Sequence, residues 1–141
     1  MPITQKFVMN GQGVIFEAEG VVTQKEFFDT FVTYFHSPDD VFLPLRFSLT
    51  DLTQVVRVEL STDDIADLGM IAKEAYQRNS DSIVAFAAPS DLVYGLAKVW
   101  TAWTGPQTWT TNLLRDRYAA ERWLRNQLSE RFGMENVRFD E

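Results

Sequence analysis

The feature of this sequence that most constrains its fold is a regular alternation of strand-like and helix-like segments. The segment LRFSLTDL at residues 45–52 alternates apolar with polar side chains, among them Ser48 and Thr50, as a half-buried strand does. The run DSIVAFAA at 81–88 is largely apolar without alternation, which is typical of a strand covered on both faces. We therefore predict an α/β fold in the order β-β-α-β-α-β-α-β-α, with right-handed crossovers. Its sheet would be mixed, mostly parallel and five-stranded, with about four helices.

The N-terminal residues predict a β-hairpin, which would place one antiparallel strand at the edge of the sheet. Asn10 and Gly11 supply the positive φ angles that a tight hairpin turn requires. Phe7 before the turn, and Val14 and Phe16 after it, lie at the alternate positions of half-buried strands.

Three helix starts carry capping residues. Thr23 and Glu26 match a capping box, in which the threonine oxygen and the glutamate satisfy free amides of the first turn. Ser61 precedes two aspartates that the helix dipole favours at that place. Asp116 caps the last helix, and we expect the tail from Gly133 onward to fray.

Length and composition indicate one globular domain, which we assign to residues 1–141. The chain has no cysteine, which excludes disulfides, thiolate metal sites and cysteine nucleophiles. The first residues lack the basic head and apolar run of a signal peptide. No apolar stretch approaches the ~20 residues that a membrane span needs. We therefore expect a cytoplasmic protein without a membrane span.

The net charge of −7 argues against binding to nucleic acid, because an acidic field repels phosphate backbones. The basic residues are concentrated near the C-terminus. There Arg117, Glu121 and Arg125 are spaced four apart, so we predict that they pair along a helix.

Motifs that would indicate catalysis or cofactor binding are missing from the sequence. It contains no glycine-rich phosphate loop, no dinucleotide fingerprint and no serine elbow. The single histidine, His36, cannot build a metal site by itself. The acid pairs Asp39-Asp40 and Asp63-Asp64 have side chains that diverge, so they do not form a general acid–base pair. We predict that the protein is not an enzyme and has no cofactor and no metal.

The turn at Pro89-Ser90-Asp91 and the later Arg115 form a candidate anion site, because strand-to-helix turns of parallel sheets expose free helix amides. Carboxylates of Asp91 and Asp116 compete for these amides and repel a phosphate. Capping is therefore the favoured interpretation for Ser90, and an anion site with Ser90 and Arg115 is the alternative.

An aromatic group is a candidate surface for a partner or ligand. Trp100, Trp103 and Trp109 fall within ten residues, and Tyr94 lies near the flank of the same helix. Tryptophan is seldom wholly buried and is enriched at interfaces. These residues either fill the layer between helix and sheet or form a surface for self-association or for an apolar ligand.

Three segments carry a resemblance to a known family. FSLTDLTQVVRVELSTDDIADL at 47–68 is similar to the strand, loop and helix start of STAS domains. SIVAFAAPSDLVYGLAKVW at 82–100 and NLLRDRYAAERWL at 112–124 resemble the strand–helix pattern of SpoIIAA-like proteins. The chain thus resembles, over about residues 13–128, the SpoIIAA-like branch of the STAS and CRAL-TRIO group. The resemblance implies a superhelix of strand–helix units.

The resemblance also implies two functions. In bacterial regulators of the group, a serine at the loop–helix junction is phosphorylated and controls binding to a partner kinase; the matching residue here is Ser61, with Glu59 near the family's aspartate. The chain lacks the glycine that follows in the family, and Asp63 and Asp64 would repel a phosphate, so capping is the alternative role. We predict a non-enzymatic regulatory domain that acts through protein contacts, as a homodimer. The CRAL-TRIO relatives imply the alternative, a carrier of a small apolar or amphipathic, lipid-like ligand. An enzyme with an unrecognised site is a third alternative.

Overall fold

The computed structural model describes residues 3–104 and 108–141, the side chains of Leu92, Trp103 and Thr104 excepted. In chain order the elements are β1 (Ile3–Val8), a short 3-10 turn (Met9–Gly11), β2 (Gly13–Val22), α1 (Gln24–Phe35), α2 (Asp39–Phe42), β3 (Phe47–Val58), α3 (Thr62–Arg78), β4 (Ile83–Ala87), α4 (Asp91–Thr104), β5 (Thr110–Leu114) and α5 (Arg117–Phe132).

The five strands form one sheet in the order β1-β2-β3-β4-β5. β1 runs antiparallel to β2, and every other neighbouring pair is parallel. The predicted α/β class, the mixed and mostly parallel sheet and the antiparallel edge strand are all confirmed. The long helices α1, α3, α4 and α5 are those predicted, and the single-turn helix α2 is an addition. In the described part of the chain, no helix combines the length and apolarity that crossing a membrane requires.

The hairpin between β1 and β2 is confirmed, with a longer connection than a two-residue turn. Asn10 and Gly11 have φ angles of 56° and 86°, in the left-handed region that this connection needs. Gly13 starts β2, and a Cβ atom there would collide with the ring of Phe47. The missing side chain therefore lets Phe47 of β3 pack directly on the backbone of β2.

The predicted caps start three helices. Thr23 Oγ1 accepts a hydrogen bond from the amide of Glu26 at 3.2 Å, while the Glu26 carboxylate accepts from the threonine hydroxyl rather than from an amide. Ser61 Oγ accepts from the amide of Asp64 at 3.0 Å, and Asp64 accepts in return from the amide of Ser61. Asp116 accepts from Ala119 at the start of α5. Because each cap satisfies free amides of a first turn, these sites fix where the helices begin.

Helices cover both faces of the sheet. Against one face, α5 packs Ala120, Leu124 and Leu128 onto the odd-numbered side chains of β3 and β4. Against the other face lie α1, α3 and α4. The central strands are therefore covered on both sides, as parallel strands in α/β proteins are.

The tail after α5 differs from the fraying that the sequence suggested. Val137 and Phe139 are buried, and the ring of Phe139 lies 5.5 Å from that of Phe47 in an edge contact. The amide of Met9 donates to the carbonyl of Glu141 at 2.8 Å. The two apolar side chains add to the core beneath α5, so the tail is packed there rather than frayed.

Candidate functional site

A cavity lies between the sheet and the helices α1, α3 and α4. Its volume is about 80 Å³, in the measure in which a single water needs about 10–15 Å³. Strands β2 to β5 form the floor, and the three helices form the walls. The aromatic residues of the lining are Phe16, Phe27, Phe31, Tyr34, Phe35, Phe86, Trp100 and Trp109.

Hydroxyl side chains interrupt the apolar floor. Ser48 and Thr50 lie two residues apart on β3 and so point to the same face of the sheet. Ser82 immediately precedes β4, and Thr111 lies on β5. Ser48 and Thr111 both pair with Val84, which places them one strand to either side of it. The floor is therefore a patch of hydroxyls inside an otherwise apolar chamber.

Three of these hydroxyls have no hydrogen-bond partner among the described residues. Thr111 Oγ1 donates to the carbonyl of Trp109 at 2.8 Å, so its hydroxyl is satisfied. The hydroxyls of Ser48, Thr50 and Ser82 bond to no atom of the described chain, although these residues are only 6%, 3% and 5% exposed. Among the described residues, Glu26 Oε2 is the one fully buried side-chain polar atom without a partner, so the oxygens of Ser48, Thr50 and Ser82 keep accessible surface towards the cavity that they line. The floor thus offers unused donors and acceptors.

A stack of three aromatic rings forms part of the cavity wall. Trp109 and Trp100 both lie nearly parallel to Phe35, with ring centroids 5.8 and 6.5 Å from it. Trp109 is fixed in place because its indole nitrogen donates to the carbonyl of Asn79 at 2.7 Å. The amide of Asn79 in turn donates to the carbonyls of Phe42 and Leu45. This chain of buried hydrogen bonds makes this part of the wall rigid.

The lining carries no charge among the described residues. Tyr34 is its one titratable side chain, and burial raises the pKa of that phenol, which therefore stays neutral in the physiological range. A charged molecule entering this cavity would lose its hydration without gaining a counter-ion.

The comparisons with known proteins agree with this architecture. No protein-family model matches the sequence, and no functionally curated protein matches it. The anti-sigma factor antagonist SpoIIAA in its unphosphorylated form superposes with a TM-score of 0.55 at 9% identity, over 89% of this chain and 97% of SpoIIAA. An uncharacterised protein of the DUF3478 family from Shewanella loihica PV-4, which has a SpoIIAA-like fold, superposes with a TM-score of 0.51 at 18% identity, over 86% of this chain and 91% of that one. The chain has the SpoIIAA-like fold.

Within the SpoIIAA-like fold, the predicted aromatic residues separate into two groups. Trp100 and Trp109 line the cavity. The side chain of Trp103 lies outside the described residues. Tyr94 is half-buried and does not line the cavity; the guanidinium of Arg115 lies 3.8 Å from its ring centroid. The structure therefore brings two of the four together, and their roles in binding stay predictions.

At the predicted anion site, Ser90 and Arg115 both bond to other groups of the protein. Ser90 Oγ accepts from the amide of Val93 at 3.5 Å, a long contact at the start of α4. Arg115 donates to the carbonyl of Pro89 at 3.2 Å and forms an ion pair with Asp91 at 2.9 Å. These contacts tie the start of α4 to the end of β5. An anion at Ser90 and Arg115 would compete with the Asp91 carboxylate, and the site stays a prediction.

The predicted phosphorylation site lies at one end of the cavity. Ser61 is exposed and caps α3, while its neighbours Leu60 and Ile65 line the cavity. Glu59, which the resemblance matched to the family's aspartate, forms an exposed ion pair with Arg57 at 3.2 Å. Phosphorylation of Ser61 stays a prediction, and it would displace the hydrogen bond from the Asp64 amide.

A charged cluster occupies the opposite face of the sheet. Arg117 pairs with Glu121 as the spacing predicts, and it also binds Glu17 at 3.0 Å and Asp51 at 2.9 Å. Burial by itself raises the pKa of Asp51, but hydrogen bonds from Thr53 and Arg117 outweigh it, so the pKa is lowered. This cluster anchors the start of α5 to β2 and β3. Across the described residues, no three acidic or histidine side chains are grouped to hold a metal ion.

Sequence reasoning missed the hydroxyl floor. The alternation in the segment 45–52 predicted a half-buried strand, with Ser48 and Thr50 on the polar side. In the structure that side is buried as well, beneath α1, α3 and α4. The available signal was the predicted position of this strand inside a parallel sheet, where both faces are covered.

Proposed function

We propose that this chain is a non-enzymatic binding domain that holds a small apolar or amphipathic molecule in the cavity. The observation that carries the proposal is the cavity itself, which is lined largely by aromatic and aliphatic side chains and has a floor of hydroxyls that bond to no described protein atom. Protein interiors are close-packed and contain few voids larger than a water molecule. If it were left unfilled, a cavity of about 80 Å³ would cost at most about 2 kcal/mol of stability, at roughly 24 cal/mol per Å³. A ligand that fills the space would recover part of that cost.

The ligand is expected to be compact. The volume is roughly half that of an engineered apolar cavity of about 150 Å³ that binds benzene. A chain or ring larger than this requires side chains of the lining to move, and Phe27 and Leu96 are two of the half-buried ones. A long lipid tail is therefore a poorer fit than a short chain or a small ring.

Native mass spectrometry of freshly purified protein, compared with its denatured mass, tests the proposal. Ala97→Leu places a larger side chain inside the cavity, because Ala97 is buried in α4 and lines it. Ala102→Leu makes the same change on the exposed side of α4 and is the matched control. We expect a small added mass in the wild type and in the control, lost on denaturation, and its absence from Ala97→Leu.

A mass retained by Ala97→Leu at the wild-type level would place the ligand elsewhere. If the wild type shows no added mass, its thermal unfolding is measured with and without pentane or butan-1-ol. A ligand that binds only the folded state raises the melting temperature. No added mass together with no rise in melting temperature would refute the proposal.

A regulatory function through protein contacts is the second candidate, and the exposure of Ser61 at the start of α3 favours it. SpoIIAA, which shares the fold, is an anti-sigma factor antagonist. The same native mass spectra test the predicted homodimer, because a doubled mass that Ser61→Asp abolishes would support regulation at this residue. A monomer for both forms would count against it. Trp100 and Trp109 line the cavity, so they are poor candidates for the dimer surface.

A further inference from the structure

We propose that the cavity selects an uncharged molecule with a hydrogen-bonding group, which binds the hydroxyl of Ser48 together with that of Thr50 or Ser82. The inference rests on the proposed function and names the class of ligand. The candidates are small alcohols, ketones, aldehydes and amides with an apolar body.

The arrangement of the hydroxyls is the first argument. Ser48 and Thr50 are two positions apart on β3, which is about 6.6 Å along the strand. Ser82 lies on the neighbouring chain segment, two residues before the Val84 that pairs with Ser48. All three line the same cavity and are at least nine-tenths buried. Ser48 is the central one: Thr50 lies two strand positions from it in one direction and Ser82 two positions in the other, immediately before the next strand. Thr50 and Ser82 are thus about 13 Å apart along the strands, and a single polar group above Ser48 can bond to Ser48 together with one of them.

The chemistry of the hydroxyl is the second argument. Serine and threonine hydroxyls both donate and accept hydrogen bonds, so they can bind a carbonyl, a hydroxyl or an amide. They provide no charge. Because the described lining contains no charged side chain and the Tyr34 phenol stays neutral, a carboxylate or an ammonium ion would be buried without a counter-ion. The ligand's polar group is therefore uncharged.

The polarity of the rest of the lining is the third argument. The body of the ligand would lie against Phe31, Phe35 and Trp100, which offer dispersion contacts and no strong acceptor towards the cavity. Water is the competing occupant of the floor, because a polar cavity of this size has room for it. A ligand with one polar end displaces water from the apolar part and keeps the hydroxyls bonded.

A series of isosteric probes tests the inference on the full chain. Pentane, butan-1-ol and butylammonium have the same length and differ in one terminal group, which is a methyl, a hydroxyl or an ammonium. Butyrate supplies the anion. Each probe is titrated into nitrogen-15-labelled protein, and its dissociation constant is read from the amide shifts of residues along β3 and α4. In the wild type we expect butan-1-ol to bind at least as tightly as pentane, and neither ion to bind measurably.

The triple variant Ser48→Ala/Thr50→Val/Ser82→Ala removes all three hydroxyls and preserves most of the volume. Without them an alcohol must lose its hydration unpaired, so pentane should bind about tenfold more tightly than butan-1-ol. The single variant Thr50→Val should weaken butan-1-ol by about 3- to 10-fold and leave pentane unchanged or tighter. Ser80→Ala is the matched control, because Ser80 is exposed and outside the cavity. Its binding should equal that of the wild type.

The outcomes separate the inference from the function on which it rests. A wild type that prefers pentane tenfold, a measurable site for butylammonium or butyrate, or an alcohol affinity unchanged in the triple variant would each overturn the inference and leave an apolar-ligand function standing. If none of the probes binds, the inference fails, and the proposed function fails with it when native mass spectrometry also shows no added mass.

Discussion

Thr50→Val is expected to stabilise this protein, although it alters a buried residue in the centre of the sheet. Thr50 is 3% exposed and lies between Phe16 of β2 and Phe86 of β4. Its hydroxyl lines the cavity and has no partner among the described residues. Valine keeps the branched shape that strands favour and replaces the hydroxyl with a methyl group.

The magnitude follows from the environment of the hydroxyl. Mutational data place the cost of an unpaired buried hydroxyl at about 1–3 kcal/mol, which is an upper bound here because the Thr50 oxygen keeps accessible surface towards the cavity. Water in the cavity satisfies part of this demand, so we expect the free energy of unfolding to rise by about 1 kcal/mol. For a chain of this length, that corresponds to an increase in melting temperature of about 3–5 °C.

The assay is urea denaturation followed by tryptophan fluorescence, with Thr111→Val as the matched control. Both threonines line the same cavity, but Thr111 Oγ1 donates to the carbonyl of Trp109 at 2.8 Å. Its removal leaves that carbonyl without the bond, so the control should lose about 1 kcal/mol. The two substitutions are chemically identical, but we expect them to change the free energy of unfolding in opposite directions.

A loss of stability in Thr50→Val equal to that in Thr111→Val would refute the reasoning. It would mean that the Thr50 hydroxyl is fully bonded, by water or by a protein group. A gain in stability together with a weaker alcohol affinity would instead identify Thr50 as a residue kept for binding at a cost in stability.

The remaining predictions concern packing and charge, all measured by urea denaturation. Gly13→Ala should lower the free energy of unfolding by about 1–3 kcal/mol, because its Cβ would collide with the Phe47 ring. Gly95→Ala should raise it by about 0.5–1 kcal/mol, because α4 leaves open space there and alanine favours a helix. Phe139→Ala should cost about 3 kcal/mol if the tail belongs to the core. Asp51→Asn should cost about 1–2 kcal/mol at neutral pH. The lowered pKa of Asp51 stabilises the fold above pH 4, and that contribution disappears as the pH falls through the folded pKa, so the variant should lose less stability in acid.

For each of these predictions, a specific result would contradict the reasoning. Equal stability of the Gly13 and Gly95 variants would contradict the contact between β2 and Phe47. A Phe139→Ala variant within about 0.5 kcal/mol of wild type would mean that the tail contributes no packing. An acid transition of Asp51→Asn identical to that of the wild type would show that Arg117 and Thr53 do not lower the pKa of this carboxyl.

Local features of the sequence were sufficient for the order and kind of the elements. The positive φ angles of Asn10 and Gly11, and the caps at Thr23, Ser61 and Asp116, act within a few residues of themselves. Where a long helix connects two neighbouring strands, it carries the chain back to the end of the sheet at which the first strand began. The second strand then runs parallel to the first, so alternating strands and helices give a parallel sheet. These are short-range rules, so one sequence determined them.

The candidate site depended on contacts that periodicity does not encode. Ser48 and Thr50 alternate with apolar neighbours, and that pattern alone cannot distinguish a face in water from a face covered by three helices. Trp100 and Trp109 had two open interpretations, and the packing of α4 and β5 around Phe35 turned both towards the cavity. Phe139 was buried by its contact with Phe47, far away in the sequence. Burial depends on what else the chain brings to a face, and only the tertiary structure decides that.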